Sequence, residues 1–169
     1  MRTKSRSILS GLLLAAMAAL LSSCIMVAYG PSVVVGSLTL SPSETGYVII
    51  RVFGLGNLQA IQVGPQGRFT FDPKVIHVKG IAGLEGFQVF ASHVDNTSGE
   101  ALFLAAYPGG SRGEDGVVQI EVETVGQAGA SSVLAITAID VLADSSGNDI
   151  ADYEITNGRV TIALKPRVP

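Results

Sequence analysis

The feature that most constrains this chain is the run Phe69-Thr70-Phe71-Asp72-Pro73-Lys74-Val75-Ile76-His77-Val78. Side chains of an extended chain alternate between two faces, so Phe69 and Phe71 share one side, as do Ile76 and Val78. Between the two pairs stands Asp72-Pro73. Proline has no N–H to give a ladder, and it biases the residue before it away from helix. The run therefore predicts two strands that meet at a bend or sheet crossing.

The rest of the chain repeats this grammar. Val33 to Leu40 reads as a first strand, Ser41 to Gly46 as a turn, and Tyr47 to Phe53 as a second strand with Val48, Ile50 and Val52 alternating against Arg51. Leu58 to Val63 and Arg68 to Phe71 form a strand interrupted at Gly64-Pro65-Gln66-Gly67, a bulge or kink. Val75 to Lys79 is a strand and Gly80 to Gly86 a loop. Phe87 to Asp95 and Ala101 to Tyr107 are joined by the hairpin signal Asn96-Thr97-Ser98-Gly99. Val117 to Val125 alternates most clearly, with Val118, Ile120 and Val122 on a core side and Gln119, Glu121 and Glu123 on a wet side. Ser132 to Leu142 and Arg159 to Leu164 supply two more strands. Glycine is abundant at 20, only 15% of residues are charged, and no helical period appears after residue 30. These observations predict one all-β domain, an antiparallel β-sandwich of jelly-roll type.

The phrase aromatic-x-aromatic-Asp-Pro-x-Val-Ile, followed by Gly99 to Tyr107, the loop to Gly116-Val117-Val118 and a last Gly-x-Val-x-Ile strand at Gly158 to Ile162, resembles a cohesin. Cohesins are β-sandwich modules that bind dockerins in cellulase assemblies, with a sandwich similar to that of some carbohydrate-binding modules. The resemblance runs from about Val33 to Leu164, nearly a whole domain. It implies a non-catalytic module that binds a protein partner, dockerin-like or other, through one sheet face.

The N-terminus carries a different signal. Arg2, Lys4 and Arg6 make a basic start, Ile8 to Leu21 an apolar core, and Leu21-Ser22-Ser23 places small residues ahead of Cys24, the chain's one cysteine. This resembles a bacterial lipobox. The resemblance implies lipidation of Cys24 and cleavage before it, with two or more acyl chains, palmitate among them, giving a stable membrane anchor. Ile25 after the cysteine, in place of aspartate, then leans towards the outer membrane in a diderm host, and otherwise the outer face of the plasma membrane. The alternative is an uncleaved span, because apolar character continues through Ala28 to a run of about 20 residues. The organisation expected is a signal peptide over 1–23, a lipidated cysteine and tether over 24–32, a sandwich over 33–165 and a tail over 166–169. A single cysteine leaves no intrachain disulfide and no cysteine cluster for a metal.

The formal charge is −3. Loss of Arg2, Lys4 and Arg6 leaves 8 basic against 14 acidic side chains, a balance of −6. So acidic a domain has no basic stripe to neutralise phosphates, which disfavours nucleic acid as a partner.

Enzymatic chemistry is poorly signalled. His77 and His93 have no metal-like or triad-like partner at a recognisable spacing. Glu121 and Glu123 share a strand face, but with Gln119 they read as a solvated stripe, and a glycosidase pair comes from segments facing across a cleft. Asp144-Ser145-Ser146-Gly147-Asn148-Asp149 lacks the alternating acids and distal glutamate of an EF-hand loop and reads as a turn. Pro108 to Gly113 lacks the Gly-Lys-Ser/Thr of a phosphate loop. Asn96-Thr97-Ser98 matches a glycosylation sequon by pattern only. No catalytic residue, metal or cofactor is expected.

Binding is the better class. If Leu102, Leu104 and Ala106 fill the core, then Ala101, Phe103 and Ala105 face outward and leave an exposed aromatic on a flat sheet. The other outcome is that Tyr107 or a loop covers Phe103. The cohesin resemblance places Phe103 and Ala105 where outward apolar residues meet a dockerin. Gln66 falls where cohesins often carry an Asn-x-Asp pair, here replaced by Gly64-Pro65-Gln66, which weakens the match to a standard dockerin partner. The expected partner-binding residues are therefore Gln66, Phe103 and Ala105. The alternative function is polysaccharide binding on the same sandwich. It is disfavoured by the absence of tryptophan and by the scatter of Tyr47, Tyr107 and Tyr153 over separate segments.

Overall fold

The computed structural model describes residues 30–109 and 115–164. Its strands are β1 Ser32–Val35, β2 Leu38–Leu40, β3 Thr45–Phe53, β4 Leu58–Val63, β5 Phe69–Thr70, β6 Ile76–Gly83, β7 Gln88–Asp95, β8 Glu100–Ala106, β9 Asp115–Thr124, β10 Ser131–Ile136, β11 Val141–Asp144, β12 Glu154–Thr156 and β13 Gly158–Ile162. No helix occurs among the described residues. The signal segment, Cys24, most of the tether, the middle of the glycine-rich loop after Tyr107 and the tail lie outside the described residues.

The strands form two sheets packed as a sandwich, as the alternation predicts. The smaller runs β12-β1-β3-β9-β6. In the larger, β4 and β5 are two pieces of one interrupted strand lying along β8, and β10 and β11 are two pieces of the next. The order across it is therefore β7, β8, β4/β5, β10/β11, β13, β2. The interruption at Gly64-Pro65-Gln66-Gly67 stands where glycine and proline foretell it, with a cis Gly64–Pro65 peptide.

Ladders are antiparallel except for β1 with β12 and β2 with β13. Val33 to Leu40 is thus two strands, and the missed β12 is the partner of the first. Both chain ends cross from one sheet to the other side by side, at Gly36-Ser37 and at Asn157, and so run parallel in each sheet. The crossing is tight: a Cβ at Gly158 would stand 2.1 Å from the Gly36 carbonyl oxygen. Only glycine fits such a backbone approach.

Core residues come from alternate positions of both inner faces. Val48, Ile50 and Val52 of β3 and Val118, Ile120 and Val122 of β9 are buried, facing Ile61 and Val63 of β4, Phe69 of β5 and Leu134 and Ile136 of β10. Phe69 and Phe71 are both buried, with ring centroids 6.3 Å apart. Ile76 and Val78 are buried likewise. At the corner between these pairs the Asp72 carbonyl accepts from the N–H groups of Val75 (3.0 Å) and Ile76 (3.1 Å). The Asp72 carboxylate accepts from the Lys74 N–H (2.9 Å). The Asp72 N–H donates to the buried Ser132 hydroxyl (2.8 Å), which ties the bend to the larger sheet.

Two further expectations fail. The segment after Lys79 is strand rather than loop, because a bulge between Val78 and Gly80 restores the register with β9 as far as Gly83. The faces of β8 are the reverse of those expected. Ala101, Phe103 and Ala105 are 0%, 2% and 0% exposed, whereas Leu102, Leu104 and Ala106 are half-buried on the outer face. The aromatic ring and two small side chains fill the space between the sheets opposite Val63, Ile61 and Phe69.

Truncating Ile120, fully buried in the central run of β9, is expected to cost about 2–5 kcal/mol. Urea unfolding of Ile120→Ala against the parent measures it; a loss under about 1 kcal/mol would mean that this position is not core.

Candidate functional site

With β8 turned this way, the outer face of the larger sheet carries an apolar stripe. Leu104 lies between Gln62 of β4 and Ala91 of β7, Ala106 lies beside Ala60, and Leu102 lies beside His93. Here the sheet encloses an open, mostly apolar depression of about 330 Å³, lined by Gln62, Pro65, Ala91, His93, Leu102 and Leu104 among others. Towards the far end of β8 the face turns polar, where Arg68 and Glu100 form an ion pair at 3.4 Å. An apolar centre with a polar margin is the anatomy of a protein-binding patch.

Of the three residues expected to touch a partner, Phe103 and Ala105 turn their side chains into the core, and Phe103 is still among the residues that line the depression. Gln66 is exposed on the loop between β4 and β5, whose Pro65 lines the depression. Tyr107 does pack at this end of the domain, but against Phe87 (ring centroids 5.6 Å apart) rather than over Phe103. The residues that sequence reasoning missed are Leu102, Leu104, Ala91 and His93. One signal could have found them: Glu100 shares its parity with Leu102 and Leu104, and a charged residue marks the wet side of a strand.

The loop beside the depression is held by Asp140. Its carboxylate accepts three backbone N–H groups, from Gly64 (2.6 Å), Gln66 (3.0 Å) and Gly67 (2.9 Å). The Asp140 N–H in turn donates to the Gln62 carbonyl (2.8 Å). Gly67 is obligatory in this clamp, since a Cβ there would stand 2.0 Å from the Ala138 carbonyl oxygen. Arg68 reaches back to the carbonyls of Pro65 and Gly67. Desolvation alone would raise the Asp140 carboxyl, but the bonds from Gly67, Gly64 and Gln66 and the charge of Arg68 together hold it below the usual carboxylate value.

The other candidates resolve as structure. The Asp144 carboxylate accepts from the N–H groups of Ser146 (2.8 Å) and Asn148 (2.9 Å), so it is spent inside its own turn and sits below the usual value for that reason. No group of three or more His, Cys, Asp or Glu that could hold a metal occurs among the described residues. His77 lies on β6 opposite Glu123, and His93 is exposed on β7 in the other sheet. Glu123 pairs with Lys79 (3.1 Å) on the smaller sheet. Asn96 pairs with both backbone groups of Val78, accepting its N–H (2.8 Å) and donating to its carbonyl (3.0 Å), so the sequon amide serves as a tie between the sheets. The tyrosines share no platform. Tyr47 is exposed on β3, Tyr107 stacks on Phe87, and the Tyr153 hydroxyl donates to the Ile139 carbonyl (3.3 Å).

No family model matches the chain, and no curated protein matches it by sequence. Solved structures do match. The chain is similar to the seventh ScaB type I cohesin from Pseudobacteroides cellulosolvens, with a TM-score of 0.66 at 16% identity over 83% of this chain and 97% of that one. It is similar to a non-cellulosomal cohesin from the hyperthermophilic archaeon Archaeoglobus fulgidus, with a TM-score of 0.64 at 16% identity over 80% and 92%. It is also similar to the structure of a type I cohesin-dockerin complex, Coh-OlpA-Doc918, from Clostridium thermocellum, with a TM-score of 0.65 at 14% identity over 79% and 99%. The fold is that of cohesins, as the Asp-Pro corner and the strands around it foretell.

The clamp predicts a pH dependence with a definite sign. A carboxylate whose folded pKa is depressed contributes stability that is complete above the unfolded value near 3.9 and lost as pH falls through the folded value. The amide signals of Gly64 and Gly67 are therefore expected to titrate together with a midpoint below about 3.9, and to stop doing so in Asp140→Asn. A midpoint at or above the ordinary aspartate value would show that the three bonds are not made in solution.

Proposed function

We propose that this cohesin-fold domain is a non-catalytic interaction module that binds a protein partner through the outer face of its larger sheet. The observation that carries the proposal is the apolar depression around Leu102 and Leu104, open to solvent on the outer face of the larger sheet. The complexes among its structural neighbours, in which a cohesin is bound to a dockerin, support a protein as the occupant. A dockerin-like partner is the first candidate. The existence of a non-cellulosomal cohesin with this fold keeps other protein partners in view.

The reading includes an anchor. Cys24 after its basic and apolar leader is the site of lipidation, and the domain works tethered to the bacterial cell envelope, on the outer membrane of a diderm host. Tether length supports close apposition. From Cys24 to Pro31 an extended chain reaches roughly 25 Å, so the sandwich stays near the lipid.

Two experiments test this. In pull-downs from native membranes, the parent and Tyr47→Asp, altered on the opposite sheet, are expected to recover the same protein. Leu104→Asp is expected to lose at least about thirtyfold in affinity, equivalent to about 2 kcal/mol at an interface centre. Loss with Tyr47→Asp and retention with Leu104→Asp would place binding on the other sheet, and glycan binding abolished by Tyr47→Ala would favour the polysaccharide alternative. For the anchor, Cys24→Ser is expected to abolish palmitate labelling and to leave the leader uncleaved, seen as a larger mass on a denaturing gel; unchanged labelling would contradict it.

A further inference from the structure

Among the described residues the two sheets have five open strand sides, and four are short or obstructed. β11 has four residues, and on the side away from β4 its Ala143 bridges Asp149 and its Leu142 carbonyl accepts from the Ile150 N–H. β2 and β12 have three residues each. β6 is long, but the Asn96 amide occupies both backbone groups of Val78 along its outer side. β7 is different. It runs for eight residues, Gln88–Asp95, pairs with β8 on one side, and is exposed along most of its length. Among the described residues no hydrogen bond reaches its outer side from another segment.

Such an edge is a template for another strand, and proteins usually blunt it with lysine, proline, short length or a bulge. β7 contains neither lysine nor proline. Its bulge lies at one end, between Val89 and Ala91, and Ala91 to Asp95 keep an unbroken register with β8. Its one charged side chain is Asp95, at the other end, whose carboxylate is engaged by the N–H groups of Thr97 (2.7 Å) and Ser98 (3.2 Å).

We propose that β7 is a homodimerisation edge that pairs antiparallel with β7 of a second copy of this chain. A second copy fits this edge by complementarity. An antiparallel edge satisfies its own donors and acceptors about a two-fold axis, so one patch serves both partners. In that arrangement the two Asp95 carboxylates lie at opposite ends of the ladder, and no like charges meet even though the chain as a whole is acidic. The pairing makes the two larger sheets continuous and sets the two depressions side by side, since Ala91 and His93 line each of them. The dimer stands independently of the partner reading. Together they give a bivalent surface, with the affinity gain that linkage brings.

The test is sedimentation velocity on the full chain in density-matched detergent over a range of concentrations. The expected result is a concentration-dependent species of twice the mass of the monomer. Ser92→Lys, which places two ammonium groups near the axis at an exposed position, is expected to return it to monomer with an unchanged circular dichroism spectrum. Thr39→Lys, on the opposite edge, is expected to leave the dimer intact. A monomer at every concentration, or a dimer lost with Thr39→Lys and kept with Ser92→Lys, would overturn the proposal. So would a dimer that both variants leave unchanged.

Discussion

The structure depends on a parity constraint. Between two facing sheets only every second side chain of a strand can enter the core, and shifting that choice by one residue exchanges core and surface wholesale. In β9 the choice is forced, because Gln119, Glu121 and Glu123 cannot enter a layer already filled by Ile50, Phe69 and Leu134. In β8 both parities are apolar, and the decision passes to packing: Phe103 fits opposite Val63 between two small residues, and the leucines are left outside. That outcome sets the core, and it also leaves an apolar stripe on the outer face of the larger sheet.

The same contrast explains what could be read from the chain. The Asp-Pro corner, the interrupted strand at Gly64 to Gly67 and the faces of β3 and β9 were legible, because each is marked by proline, glycine or a charged residue at a definite place. The inversion in β8 arose where six successive apolar residues, Ala101 to Ala106, carry no such mark, and the only clue is Glu100 just before them. β12 was missed for another reason. It is three residues long, and its stability comes from parallel pairing with β1, a contact between the two chain ends that no local pattern announces.

Asp140 shows how the two halves of the account join. A single carboxylate from the chain between β10 and β11 gathers the free N–H groups of the broken strand, so the interruption is rigid rather than loose. Backbone donors satisfied in this way cost nothing in buried unpaired groups, and the loop keeps Pro65 in the wall of the depression. The face is thus defined by backbone geometry at its edge and by side-chain parity at its centre. Gly64-Pro65-Gln66 stands where the resemblance expects an Asn-x-Asp pair, so the partner proposed for this face would read apolar shape more than a polar pair.

The most direct test of this account is the exposure of β8 itself. Cysteines placed singly from position 101 to position 106 in a Cys24→Ser background can be reacted with a charged maleimide under native conditions. Labelling should alternate, fast at Leu102→Cys, Leu104→Cys and Ala106→Cys and slow at Ala101→Cys, Phe103→Cys and Ala105→Cys. The opposite alternation would return Phe103 to the surface and contradict both the core described for this domain and the face proposed for binding.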